Sequence, residues 1–230
     1  MVLGRTTLYE DGCLRKGRAF TMRDSYRDEL NATTELIVTV AGLVRTAVQD
    51  ATTALVTADL TVAERVISGD TRIDELTKEI EQRSFQLLAR QAPVAGELRT
   101  VVAVLRMSYS LDRMGDLAAH IAKIARLRYP EVAAPEPVAD QIKQMAETAD
   151  SMIATAITTL ENRDAEAAAG LATADSKMDE LRSDQFHLLL SDDWEYGVEK
   201  AVDTALLGRY YERIADPVSY THLRAHETEA

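Results

Sequence analysis

Two stretches of this chain recur about a hundred residues further on, and that repetition constrains the fold more than any other feature. GDTRIDEL at Gly69–Leu76 returns as ADSKMDEL at Ala174–Leu181, and LDRMGD at Leu111–Asp116 returns as YERIAD at Tyr211–Asp216. Ala54–Asp59 and Thr159–Asp164 likewise share a Leu in second place and an Asp in sixth. The repeated unit is helical. From Tyr26 to Ala58, residues such as Leu36, Ile37, Val40, Val44, Val48 and Leu55 return every three or four positions, the period of a helix with one buried face. ADLTVAE (Ala58–Glu64) breaks the run, with Asp59 or Thr61 placed to cap a second helix reaching about Arg90. QAPVAGELR opens a third, with Pro93 expected in its first turn, and it extends to Tyr129. PEVAAPEP at Pro130–Pro137 is the clearest linker, and beyond it the pattern restarts. The expectation is an all-α chain of two tandem antiparallel three-helix bundles, residues 22–130 and 131–216. The second and third helices of each unit should be the longest. The two motif pairs differ in spacing by a few residues, which the longer loop of the first unit is expected to absorb.

Composition narrows the function classes. Hydrophobic residues make up 46% of the chain but aromatics only 5%, and ten Gly with five Pro are too few for the turns of an all-β fold of 230 residues. A formal net charge of −12 argues against nucleic acid and against anionic lipid as partners, and suits cations or basic protein surfaces. The single cysteine, Cys13, excludes an intrachain disulfide and a thiolate metal site. With no apolar run long enough to span a bilayer and no secretory leader in residues 1–21, the expected location is the cytoplasm, without membrane insertion.

The repeated motifs carry paired acids four residues apart. On an ideal third helix, Asp112 and Asp116 continue the stripe of Leu98, Leu105 and Tyr109, and Glu212 and Asp216 follow Val198 and Val202 in the same way. The second helices offer Asp70 with Asp74 and Asp175 with Asp179. An antiparallel hairpin about the Pro93 turn places Asp70 level with Asp116 and Asp74 level with Asp112; the second unit matches Asp175 with Asp216 and Asp179 with Glu212. Four carboxylates at one level repel one another unless a cation compensates them. Oxygen ligands without thiolate suit magnesium, manganese or iron rather than a structural zinc. The competing accounts are a solvated face, ion pairs with Arg113 and Lys123, or, for Asp70 and Asp175, acids near a helix start. His120 and His187 stand alone, outside the Glu-x-x-His spacing of di-iron bundle enzymes. Trp194 and Tyr196 are read as anchors of the second unit's loop. No phosphate-cradling Gly loop or nucleophilic triad is visible.

Together MRDSYRDEL (Met22–Leu30), QAPVAGELR, LDRMGDLAAHIAKIA and LLGRYYERIAD resemble the PhoU family of phosphate-transport regulators, over Met22 to Asp216. The resemblance implies two three-helix bundles related by a pseudo-two-fold and multinuclear iron or zinc sites on the repeated motifs. By that carry-over Asp112, Asp116, Glu212 and Asp216 are the motif ligands, and Leu117 stands where the family often has a His. It also implies a non-enzymatic homodimer that represses the phosphate-starvation response by contacting the phosphate-sensing histidine kinase and the ATPase of the phosphate importer. A carboxylate-bridged di-iron enzyme and a metal-free helical adaptor are the rival readings. Family members continue their sixth helix, whereas PVSYTHLRAHET matches one reading frame of a transposase sequencing-library adapter. Residues 217–230 are therefore expected to be an adapter-derived tail with few core contacts, in which Pro217 breaks the native helix although Tyr220–His226 can still be continued as helix. Residues 1–21 are expected to be a non-native extension with few core contacts.

Overall fold

The computed structural model describes residues 22–90, 93, 96–162 and 170–227, and among these every regular element is a helix. α1 spans Met22–Thr57, α2 Leu60–Arg90, α3 Gly96–Arg128, α4 Glu136–Asn162, α5 Leu171–Leu189 and α6 Gly197–Glu227. The first turn forms where the sequence places it. Ala58 takes a left-handed φ of 52°, and the Asp59 carboxylate accepts the Val62 N–H at 3.0 Å, satisfying a free donor at the start of α2. Pro93 lies ahead of α3 rather than in its first turn.

The expected order of helix lengths fails in both units: α1, at 36 residues, is longer than α2 or α3, and α5 departs further. It is the shortest helix, 19 residues against 31 for α2. The few residues by which the repeats differ are taken from α5 itself, and the loop after it, 190–196, is not the shorter one. Trp194 anchors that loop by donating its indole N–H to the Gly197 carbonyl at 2.9 Å, and it meets Tyr196 edge-on.

α1, α2 and α3 pack together as one unit and α4, α5 and α6 as the other; α1 lies against α4 and α3 against α6 across the seam. Each seam helix thus meets its own repeat counterpart, as a two-fold requires. The local axis is marked by Arg45 and Asp150, which hold the same position in the two repeats. Arg45 donates to both Asp150 oxygens, at 2.6 and 2.8 Å, and Gln49 adds a third bond at 2.7 Å. At the far end Arg128 of α3 grips Asp203, at 2.6 Å, and Glu199, both on α6. One continuous apolar core runs through the seam, including Val44 and Val48 of α1, Leu117 and Ile121 of α3, Met145 and Met152 of α4, and Leu207 and Ile214 of α6. Two linker alanines, Ala133 and Ala134, are buried in it as well. Tyr211 of α6 is buried and bonded to the Thr52 hydroxyl at 2.7 Å. That hydroxyl already donates to the Val48 carbonyl, so the tyrosine is the donor.

Neither the break expected at Pro217 nor the scarcity of core contacts expected beyond it is what the structure shows, since Val218 and Ser219 are both buried. α6 passes through the proline to Glu227. A proline inside a helix lacks an N–H and crowds the preceding turn. Here Pro217 and Val218 line an apolar cavity with Ile37, Ala41, Met107 and Ile153, and the Ser219 hydroxyl donates to the Asp216 carbonyl at 3.0 Å. Apolar burial against α1, α3 and α4 thus accompanies continuation of the helix. Residues 1–21 lie outside the described residues. No helix among the described residues is long and apolar enough to cross a membrane.

Candidate functional site

The first carboxylate cluster depends on how closely α2 and α3 approach, and Gly115 sets that distance. A Cβ on Gly115 would lie 3.1 Å from Ile73 and 3.2 Å from Asp70 Oδ1, so any side chain there would press on both. Polar bonds hold the register. The Thr77 hydroxyl reaches Asp112 Oδ1 at 2.8 Å, and the Ser108 hydroxyl donates to the Thr77 carbonyl at 3.2 Å. Asp70 therefore stands at the level of Asp116, and Asp74 near Asp112, in the register expected of the hairpin.

Asp70 Oδ1 is buried and has no hydrogen-bond partner. Loss of water pushes its pKa above the usual carboxylate range, and the charges of Asp116 and Asp74 push it further; Lys123 opposes them, and Asp112 adds a smaller push. Asp70 thus stands close enough to the other three acids to feel their charge. Asp70 sits about three turns into α2, so the account of it as an acid at a helix start does not hold. Two cations flank the cluster from solvent. Arg113 pairs with Asp116 at 3.2 Å, and Lys78 with Asp74 at 3.9 Å. Among the described residues no group of three or more His, Cys, Asp or Glu side chains stands together as a metal-holding set. The donor chemistry nonetheless fits a hard cation. One buried carboxylate oxygen lacks a partner, the charges of three more carboxylates act on it, and no sulfur is present among the first-unit acids.

The second cluster has the same acids and a different interior. Asp216 is raised first by loss of water around its carboxyl and then by Glu212, with Arg209 opposing and Asp175 and Asp179 contributing, so it too feels the charge of three other acids. Glu212, however, is already paired. Arg182 Nε stands 3.4 Å from its Oε2, and Arg209 Nη1 stands 2.8 Å from the same oxygen. The Arg182 side chain is 11% exposed, and its guanidinium lies 3.9 Å above the Phe186 ring and donates to Gln185 Oε1 at 2.8 Å. Such a paired carboxylate does not fit a metal ion. The sequence reading missed Arg182. It occupies the repeat position of Thr77, and Gly208 that of Ser108, so a residue-by-residue comparison of the two units carries the signal.

Two further expectations change. The stripe that leads to the paired acids faces outward. Tyr109 is 76% exposed and Val198 80%, and Leu98 and Val202 are exposed as well. The core face of α3 is instead Val101, Val104, Leu111, Met114, Ala118 and Ile121. His120 stacks on Tyr210 across the seam at 5.6 Å, which gives it a packing partner.

Comparison with known proteins bears on the fold and the family. The PhoU domain family matches residues 37–125 and 142–219, one segment in each three-helix unit. The chain is 42% identical over 195 residues to a phosphate-specific transport system accessory protein, PhoU homolog 2, of Mycobacterium tuberculosis, covering 85% of this chain and 92% of that protein. It is 41% identical to PhoU homolog 1 of Mycobacterium leprae, over 85% of this chain and 88% of that one. Among solved structures, PhoU of Streptococcus pneumoniae superposes with a TM-score of 0.79 at 25% identity, over 89% of this chain and 97% of that chain. PhoU of Pseudomonas aeruginosa superposes at 0.81 and 24% identity, covering 86% and 95%, which supports the fold.

Proposed function

The chain belongs to the PhoU family, and on that premise we propose that it is an accessory regulator of a phosphate-specific transport system, acting by protein contact rather than by catalysis. The observation that carries the reading is the pair of carboxylate clusters at repeat-equivalent positions, in a chain whose curated relatives bear that role in their names. The partners we propose are the ATPase of the phosphate importer and the phosphate-sensing histidine kinase, met on the cytoplasmic side of the membrane by a homodimer of this chain. The outward stripes support docking. Leu98 and Val198 hold the same repeat position on α3 and α6, and both are exposed apolar residues on helices flanked by charge. The acidic surface accords with protein partners rather than nucleic acid.

Expression of this chain in a bacterium lacking its own PhoU should restore repression of phosphate-starvation genes in high phosphate. Unrepressed reporters, with the protein present and folded, would contradict the regulatory role.

Metal binding is part of the proposal for the first unit. Asp70, Asp74, Asp112 and Asp116 would hold an iron, manganese, magnesium or zinc ion through oxygen alone, and the ion would supply the charge that now comes from exposed Arg113 and Lys78. Replacing Asp112 and Asp116 together with Asn preserves shape and removes two charges. The pair should lose bound metal in elemental analysis while the metal-free protein becomes no less stable, because repulsion is relieved. Unchanged metal content with lower stability would mean that the acids serve as ion-pair partners only. A di-iron oxidase is disfavoured, because none of the four histidines stands in Glu-x-x-His spacing; oxygen consumption by the metal-loaded protein would revive it.

A further inference from the structure

We propose that the Arg182 guanidinium takes the place of a bound cation in the second carboxylate cluster, leaving the first as the metal-responsive one. The inference rests on the metal reading of the first cluster and concerns how the two clusters differ. Both sets contain four acids at matching repeat positions, so whatever compensates their charge must come from what differs around them.

What differs is a linked substitution on facing helices. Thr77 of α2 becomes Arg182 of α5, and Ser108 of α3 becomes Gly208 of α6. Gly208 provides the room. A Cβ there would lie 1.9 Å from Gln185 Oε1 and 2.9 Å from Arg182 Nη1, so even alanine would collide with the side chains now filling the space. In the first unit, Asp112 receives a neutral hydroxyl from Thr77. In the second, the matching Glu212 receives a largely buried cation, held in place by Gln185 and the Phe186 ring. A guanidinium is always charged and presents several fixed donors, so it compensates a carboxylate without any ion from solution. Removing it would leave Glu212 with Arg209, whose side chain is 51% exposed. The surface cations beside the first cluster are of this exposed kind, and a metal ion can displace them at little cost.

The test is metal stoichiometry on the full chain, stripped with chelator, dialysed against Mn(II) and measured by elemental analysis. In the parent, Asp112→Asn with Asp116→Asn should remove the bound metal, and Glu212→Gln with Asp216→Asn should leave it in place. Equal losses from the two pairs would overturn the asymmetry. Arg182→Thr with Gly208→Ser transplants the first unit's residues into the second. It should roughly double bound metal, and the increment should vanish when Glu212→Gln and Asp216→Asn are added. No increment in a folded variant, with the first-cluster loss intact, would overturn the role of Arg182. A parent that binds no Mn(II) would instead overturn the metal reading of the first cluster. The proposal then stands on stability: Arg182→Gln should lower the melting temperature of chelated protein by a few degrees. Arg182→Lys, which keeps the charge, should recover most of that loss. Equal melting of the Gln and Lys variants would assign Arg182 to packing alone and overturn the proposal.

Discussion

Asp70 is the residue whose protonation says most about the first cluster. Its folded pKa lies above the ordinary carboxylate value, with burial the largest cause and the neighbouring acids next. Between the ordinary and the folded value the native state binds more protons than the unfolded chain. Stability of the metal-free protein must therefore fall as pH rises through that window and stay lower above it. Asp70→Asn removes the effect while keeping the side chain's shape. At pH 7 the chelated variant should melt above the parent, and the difference should shrink as pH falls below about 4, the ordinary carboxylate range. In Mn(II) the order should reverse, because the variant lacks the buried oxygen that has no other partner. Thermal melts at pH 7 and pH 4, with and without metal, test both signs. A chelated variant less stable than the parent at pH 7 would mean that the Asp70 charge is compensated in the native state. Gly115 belongs to the same account, since the close approach it permits is what brings α3 onto Asp70.

Among the elements, α1, α2, α3 and the turn between α1 and α2 were legible in the sequence because each signal is local. Periodic apolar residues, the Asp59 cap and the alanine- and proline-rich linker act within a few residues of where they stand. The pairing of Asp70 with Asp116 was legible for a related reason, since an antiparallel hairpin leaves one register once two pairs of acids must share a level. The shortness of α5 was not, because losing residues from a helix end and losing them from a loop give the same spacing between motifs. Arg182 was hidden by reading the repeats for what they share, whereas its meaning lies in where they differ. Pro217 misled for a physical reason. Its local preference is to end a helix, and burial of Val218 and of its own ring against α1, α3 and α4 runs the other way. If that balance is right, Pro217→Ala restores an N–H and removes crowding while giving up only part of a ring. The variant should gain about 1–3 kcal/mol, within the cost of a proline inside a helix. A denaturation midpoint below the parent's would show instead that the ring's packing in the cavity outweighs the strain.

For the whole molecule, the pseudo-two-fold seam decides how a local event is felt. The units share one apolar core, Tyr211 of α6 bonds to Thr52 of α1, and Arg45 joins Asp150 across the axis. The Asp150 carboxyl is held below its usual range chiefly by the hydrogen bond from Arg45, so this link is present at neutral pH and is lost as pH falls through that lowered value. Units tied in this way should unfold together at neutral pH, as one cooperative transition. A metal held by the first unit, as proposed, would then stabilise the second as well. At a free concentration about a hundred times its dissociation constant, a ligand specific for the native state adds about 2.7 kcal/mol. For a chain of this size that corresponds to roughly 5–10 °C in melting temperature. Calorimetry in Mn(II) should therefore show a single endotherm displaced upward by about that amount. The shift should disappear in chelator and in the Asp112→Asn, Asp116→Asn variant. Two endotherms, of which only one moved with metal, would show that the seam does not couple the units. In that case metal at the first cluster could not alter the stripe on α6 from which Val198 and Val202 project, and any partner sensing the metal would have to dock on α3 alone.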